Sequence, residues 1–199
     1  MHSIDNCTAV ILAGGESRRM GEDKAALMLA GESLIHRAIQ SVNPLFEHLL
    51  ISVRQPRDHL LFPQLIDRGE GGGPMRGITT ALERVNTPWV FVMACDMPFV
   101  SSEMVLAMSE RRTDQQVVAS VVDGFVQPLA AFYSKSCLPL MQQQMEAGDR
   151  SLKRFIENVD STLIEGQELR SLDPELISFM DLDCKQDVEK AEGILRSME

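Results

Sequence analysis

The sequence predicts one α/β domain over residues 1–199, built on a Rossmann-like, mostly parallel sheet flanked by helices. Three observations carry that prediction. Short apolar runs alternate with longer segments of helical character along the chain, the pattern of strands joined by crossover helices. The apolar runs stop at Gly, Asp or Pro, residues that end strands and open loops. The chain has 199 residues, 44% of them hydrophobic and 24% charged, which is enough to bury a core without disulfides or a structural metal.

Thr8 to Ala13 reads as the first strand, a buried apolar run ended by Gly14-Gly15. Ser33 is placed to cap a helix reaching about Val42, with Pro44 just past its end. Leu49 to Val53 forms a second strand, and Leu65-Ile66 a short third one ending at Asp67. After Gly71-Gly72-Gly73, Pro74 starts a helix to about Val85, because its fixed φ and missing N–H suit a first helical turn. Trp89 to Ala94 is a central strand that runs into Cys95-Asp96-Met97-Pro98; Trp89, Phe91 and Cys95 are expected in the core. Ser101 or Ser102 caps the next helix, which closes at Glu110 and two arginines. Val117 to Val122 and Leu129 to Tyr133 form two more strands, joined through Asp123-Gly124. Residues 135–147 and 150–158 read as helices, Phe179 to Leu182 as a last short strand, and Val188 to Met198 as a last helix. Gly14, Gly15, Asp67 and Asp96 therefore all follow strands. Ligands of open α/β sheets bind beyond the carboxyl ends of the strands, so three loops are expected to converge on one crevice.

Charge narrows the partners. Lys plus Arg number 19 against 29 Asp plus Glu, a formal net charge of −10, which argues against nucleic acid or an anionic membrane as a general partner. Residues 160–199 carry most of that excess and read as a solvated acidic surface. The longest apolar run, Trp89 to Cys95, is far below the roughly 18 residues of a membrane span. The N-terminus lacks the charged start and apolar stretch of a secretory signal. Cys7, Cys95, Cys137 and Cys184 form no C-x-x-C pair and read as the reduced thiols of a cytoplasmic protein. The four histidines show no metal spacing.

The segment from Leu12 to Lys24, LAGGESRRMGEDK, matches neither a Walker A loop nor G-x-G-x-x-G. Two glycines directly after a buried strand still allow close backbone approach, and their amides can cradle phosphate oxygens. Arg18, Arg19 and Lys24 supply cations, Arg as a bidentate fork and Lys as a movable point charge. Glu16, Glu22 and Asp23 cancel that charge, so the residues alone allow either a solvated turn or a phosphate cradle. Asp96 likewise reads as a helix cap or as a ligand, and Asp67 as a turn residue.

The same loop resembles the signature of molybdenum cofactor guanylyltransferases, in which L-A-G-G, R-R-M-G and D-K recur in this order. Asp67 followed by Gly73-Pro74-Met75-Arg76-Gly77 resembles that family's Asp and G-P-L-A-G turn, with Met75-Arg76 in place of Leu-Ala. Cys95-Asp96-Met97-Pro98 resembles its C-D-x-P metal motif, and Gln127-Pro128-Leu129 with Ala131-Phe132-Tyr133 a further segment near the acceptor. Two stretches depart. Ser52 and Arg54 stand where the family commonly has asparagines, and Asp181 to Asp187 replaces a stretch like N-x-N-T-P-E-D.

The resemblance implies a nucleotide-diphospho-sugar-transferase fold and a nucleotidyltransferase that moves GMP from GTP to the phosphate of molybdenum-molybdopterin, releasing pyrophosphate. It implies nucleotide binding by Leu12, Ala13, Gly14, Gly15, Lys24, Asp67 and Asp96, catalytic roles for Arg18, Arg19 and Lys24, and Mg²⁺ held by Asp96. Asp183 would either flank the last helix or add a second carboxylate to that metal. GTP, molybdenum-molybdopterin and other proteins of molybdenum cofactor biosynthesis are the implied partners. Alternatives are a related enzyme using CTP or a sugar phosphate, and a non-catalytic cofactor-handover protein of the same fold. A Rossmann oxidoreductase is disfavoured by the missing G-x-G-x-x-G.

Overall fold

The computed structural model describes residues 4–14, 24–67 and 73–198. Strand β1 (Cys7–Leu12) leads to a small hairpin of β2 (Met28–Leu29) and β3 (Glu32–Ser33), then to helix α1 (Leu34–Val42). Next come β4 (His48–Val53), β5 (Gln64–Ile66), α2 (Pro74–Arg84), β6 (Trp89–Ala94) and α3 (Ser102–Ser109). A hairpin of β7 (Val117–Val122) and β8 (Phe125–Ser134) precedes α4 (Cys137–Glu146) and α5 (Leu152–Asn158). The chain closes through β9 (Ser161–Glu165), the short α6 (Gly166–Leu169) and α7 (Lys185–Met198).

The main sheet has the order β5-β4-β1-β6-β8-β7-β9. Its β5-β4-β1-β6 half is parallel throughout; β8 runs antiparallel to both β6 and β7, and β9 is parallel to β7. The mostly parallel prediction therefore holds. Parallel strands need covering on both faces, and side chains alternate accordingly. Ala9, Ile11, Phe91 and Met93 face the layer of α1 and α3; Val10, Val90 and Val92 face α2, α4 and α5. In α1, Leu34, Ile35, Ala38, Ile39 and Val42 are buried at helical spacing, which makes one apolar face. Phe91 stacks on Phe46 at 5.5 Å between ring centroids and tilts against Phe132 at 4.9 Å. A satellite core of Leu29, Leu34, Leu182 and Ala191 ties α7 to the small hairpin.

Several predicted boundaries shift for identifiable reasons. Ser33 occupies the N-cap of α1 but its hydroxyl makes no capping bond, whereas Ser101 Oγ accepts from the Met104 N–H as a cap should. The strand expected at Leu129 begins at Phe125, because Asp123 and Gly124 both take positive φ and close a two-residue hairpin. Residues 179–182 do not form a strand: Ile177–Phe179 is a 3₁₀ turn, and Leu182 instead donates its N–H to the Asp96 carbonyl at 3.0 Å. The strands without a sequence signal are β9, a half-exposed edge of the main sheet, and the two-residue β2 and β3. No helix among the described residues is long and apolar enough to cross a membrane.

Candidate active site

Register builds the site. Leu12 pairs with Ser52 and with Ala94, and Val53 pairs with Ile66. Two residues beyond Leu12, and one beyond Val53, the chain reaches a row across four adjacent parallel strands: Asp67 after β5, Arg54 after β4, Gly14 after β1, Asp96 after β6. That row floors a crevice of about 370 Å³, the size of a small-ligand site. Leu12, Gly14, Lys24, Asp67 and Asp96 all line it, so the three predicted loops do converge. One wall is the start of α2, with Gly73, Pro74 and Gly77; the other is Gln127-Pro128-Leu129. A Cβ on Gly77 would lie 2.8 Å from Leu12 Cδ2 and 3.3 Å from Ser52 Oγ, so glycine is what lets α2 sit this close to the strand ends.

The second wall is an irregularity in β8. Phe132 pairs with Val118 and Gln127 with Ser120, so on the β7 side residues 128–131 stand opposite Ala119 alone, while Ala131 keeps its place beside Val92 of β6. Ala130 takes φ 57° within the bulge, a conformation that costs a non-glycine residue energy. The fully buried Tyr133 donates its hydroxyl to the Pro128 carbonyl at 2.6 Å and holds the bulge toward the crevice.

Lys24 and three carboxylates occupy the end of the crevice beyond β6. Lys24 Nζ donates to Asp96 Oδ2 at 2.6 Å and also to Asp183 Oδ1. Burial alone would lower the Lys24 pKa; hydrogen bonds to Asp183 and Asp96 outweigh it and hold the ammonium above its ordinary range. Asp181 also lines the crevice, and burial, followed by the charges of Asp183 and Asp96, raises its carboxyl. Asp183 thus does not merely flank α7. Asp187 does that, its Oδ2 accepting the N–H groups of Asp183 at 2.9 Å and Cys184 at 2.8 Å, which leaves the Asp183 carboxylate turned to Lys24. Carboxylate oxygens are the donors a hard cation such as Mg²⁺ takes; Asp96 and Asp183 could supply two of them, and the described residues contain no group of three or more His, Cys, Asp or Glu side chains suited to a metal.

At the opposite end, Asp67 donates its N–H to the Val53 carbonyl at 2.9 Å and accepts from Thr80 Oγ1 at 3.3 Å. Burial raises its carboxyl pKa, against the opposing pull of Thr80, Arg76 and Arg54. Ala13 is fully buried and does not line the crevice: its N–H is given to the Ser52 carbonyl and its own carbonyl accepts from Arg57 Nη2 at 2.9 Å. Gly15, Arg18 and Arg19 lie outside the described residues. Ser52, Arg54 and Asp181 line the crevice without having been expected as site residues. For Ser52 and Arg54 the signal was available, because they end a strand beside β1.

Residues 9–163 match the model of the MobA-like NTP transferase domain. The chain belongs to that family. Among MobA-like relatives, one from Natranaerobius thermophilus is 34% identical over 98% of this chain and 99% of its own length. A molybdenum cofactor guanylyltransferase from Desulfosudis oleivorans is 30% identical over 98% of each chain. The crystal structure of molybdopterin-guanine dinucleotide biosynthesis protein A from Archaeoglobus fulgidus superposes with a TM-score of 0.86 at 26% identity, covering 96% of this chain and 100% of that one. The MobA-like match begins inside β1 and ends inside β9, so it takes in every strand of the main sheet.

Proposed function

We propose that this chain is a nucleotidyltransferase that moves GMP from GTP to the phosphate of molybdenum-molybdopterin. The observation that carries this reading is the Lys24–Asp96 pair, set in a crevice at the strand ends of a MobA-like chain whose full-length relatives include molybdenum cofactor guanylyltransferases. An oxygen of the acceptor phosphate attacks the α-phosphorus of GTP. The bond from the α-phosphorus to the bridging oxygen breaks, and pyrophosphate leaves with that electron pair. The acceptor is already anionic, so no general base is needed, and the protein contributes positioning and charge neutralisation.

Each residue has a share in that work. Leu12 and Gly14 border the nucleotide at the end of β1, and Asp67 contacts it at the end of β5. Lys24 turns its ammonium to the triphosphate, joined by the Gly15 amide and by Arg18 and Arg19 from the same loop. Asp96 would hold Mg²⁺, with Asp183 facing it across Lys24, and the ion would supply positive charge against the phosphates. The test is pyrophosphate release from GTP with molybdenum-molybdopterin as acceptor. Release that needs both Mg²⁺ and the acceptor is expected; no release above a protein-free control would refute the reading.

A further inference from the structure

Arg54 is exposed, yet it belongs to the floor of the crevice. Its Cγ lies 3.3 Å from where a Cβ on Gly14 would stand, and its backbone nitrogen 3.6 Å, so the glycine leaves room for the arginine stem. On the other side the β4–β5 register sets it beside Asp67, on whose carboxyl its charge acts. The row of strand ends therefore has two chemically different poles. Asp96, Asp183 and Lys24 gather beyond β6, where a cation and phosphates fit. Beyond β4 and β5, a fork of N–H donors stands next to a carboxylate acceptor. Strands spaced about 4.8 Å apart put Arg54 on the order of 10 Å from Asp96, which leaves the width of β1 for the sugar and α-phosphate.

The donor and acceptor groups at the Arg54 pole select among bases. Guanine presents two acceptors on one edge, O6 and N7, and two donors on the adjoining edge, N1–H and the 2-amino group. Adenine turns an amino donor toward the fork in place of O6, and cytosine does the same while lacking N7. Uracil lacks both N7 and a 2-amino group. A planar guanidinium matches the O6/N7 pair in a way an ammonium does not. We propose that Arg54 is a specificity-determining residue of the nucleotide site, its guanidinium donating to guanine O6 and N7 while Asp67 accepts from N1–H and the 2-amino group. The assignment rests on the guanylyl-transfer reading and deepens it, because it says how the base is chosen.

The test is calorimetry of GTP, 7-deaza-GTP and ATP, with Mg²⁺, on the intact chain and on its Arg54→Ala and Arg54→Lys variants. In 7-deaza-GTP the N7 acceptor is replaced by C–H, so only a donor aimed at N7 feels the change. The unsubstituted chain should bind 7-deaza-GTP about tenfold more weakly than GTP, and Arg54→Ala should bind the two alike. Discrimination against ATP should fall by about tenfold in Arg54→Ala, and Arg54→Lys should not restore it. An equal loss on 7-deaza-GTP in all three chains would overturn the assignment. So would an Arg54→Ala variant that weakens GTP and ATP by the same factor, the mark of an arginine that only pairs with Asp67 or attracts phosphates. An unsubstituted chain that binds GTP no better than ATP would instead overturn guanylyl transfer itself, and this assignment with it.

Discussion

Lys24 is the residue on which the charge balance of the crevice turns. Its ammonium is held between Asp96 and Asp183, and its side chain is only 15% exposed. Triphosphate and cation binding would exchange those partners: phosphates take the ammonium, and the carboxylates are released to the metal. Lys24→Ala should accordingly weaken GTP by about tenfold or more in equilibrium binding, since charge-assisted hydrogen bonds contribute about 1.5–3 kcal/mol each. GMP, which lacks the β- and γ-phosphates, should lose much less; equal losses would show that Lys24 does not reach the phosphate tail. The two carboxylates should separate as well. Asp96 is 12% exposed in its side chain and Asp183 48%, and half-exposed ion pairs contribute only about 0–1 kcal/mol. Asp96→Asn should nearly abolish Mg²⁺-dependent turnover, while Asp183→Asn should shift the Mg²⁺ requirement only modestly. A shift in Asp183→Asn as large as that in Asp96→Asn would mean that the two carboxylates share the metal equally.

Elements place these residues, and they differ in how openly the sequence declares them. The β8 bulge depends on one buried hydroxyl. Tyr133→Phe leaves the Pro128 carbonyl without its donor and should cost about 1–3 kcal/mol in urea unfolding. It should also raise KM for the acceptor more than KM for GTP, because Gln127-Pro128-Leu129 lines the crevice on the β8 side, away from Arg54 and Asp67 at the ends of β4 and β5. Unchanged stability would show that the bulge is held by the sheet alone. Asp96 and Gly14 were legible because each ends a run of apolar residues buried on both faces, and such runs announce their ends. β9 was not: its sequence STLIE is short, polar at its start and half exposed, so nothing in it exceeds what a loop offers. Residues 179–182 erred the other way. Their apolar side chains are needed for packing, as Leu182 in the core under α7 shows, and composition cannot tell such an extended connection from a strand. The acidic C-terminal stretch hid three different roles behind one composition. Asp173 is buried and accepts from the Ile177 and Ser178 N–H groups, Asp187 ties down the start of α7, Asp181 lines the crevice and Asp183 accepts from Lys24. Only the path of the chain separates them.

At the scale of the whole molecule, a three-layer core carries the row of strand ends, and thiols report on its integrity. Cys7, Cys95 and Cys137 are buried, and burial pushes the Cys7 and Cys137 thiols up to about 12, while Cys184 is partly exposed at the start of α7. Only thiolates react, so at pH 8 a thiol reagent should label Cys184 promptly in the native protein and the other three only after unfolding. Rapid reaction of Cys95 would show that the floor beside Asp96 opens in solution. The central claim, that this scaffold selects a guanine nucleotide for transfer, is tested most directly by measuring Kd for GTP, ATP, CTP and UTP by calorimetry with Mg²⁺ present. GTP is expected to bind at least about tenfold more tightly than each of the others, a difference of about 1.4 kcal/mol; CTP bound as tightly as GTP would contradict it.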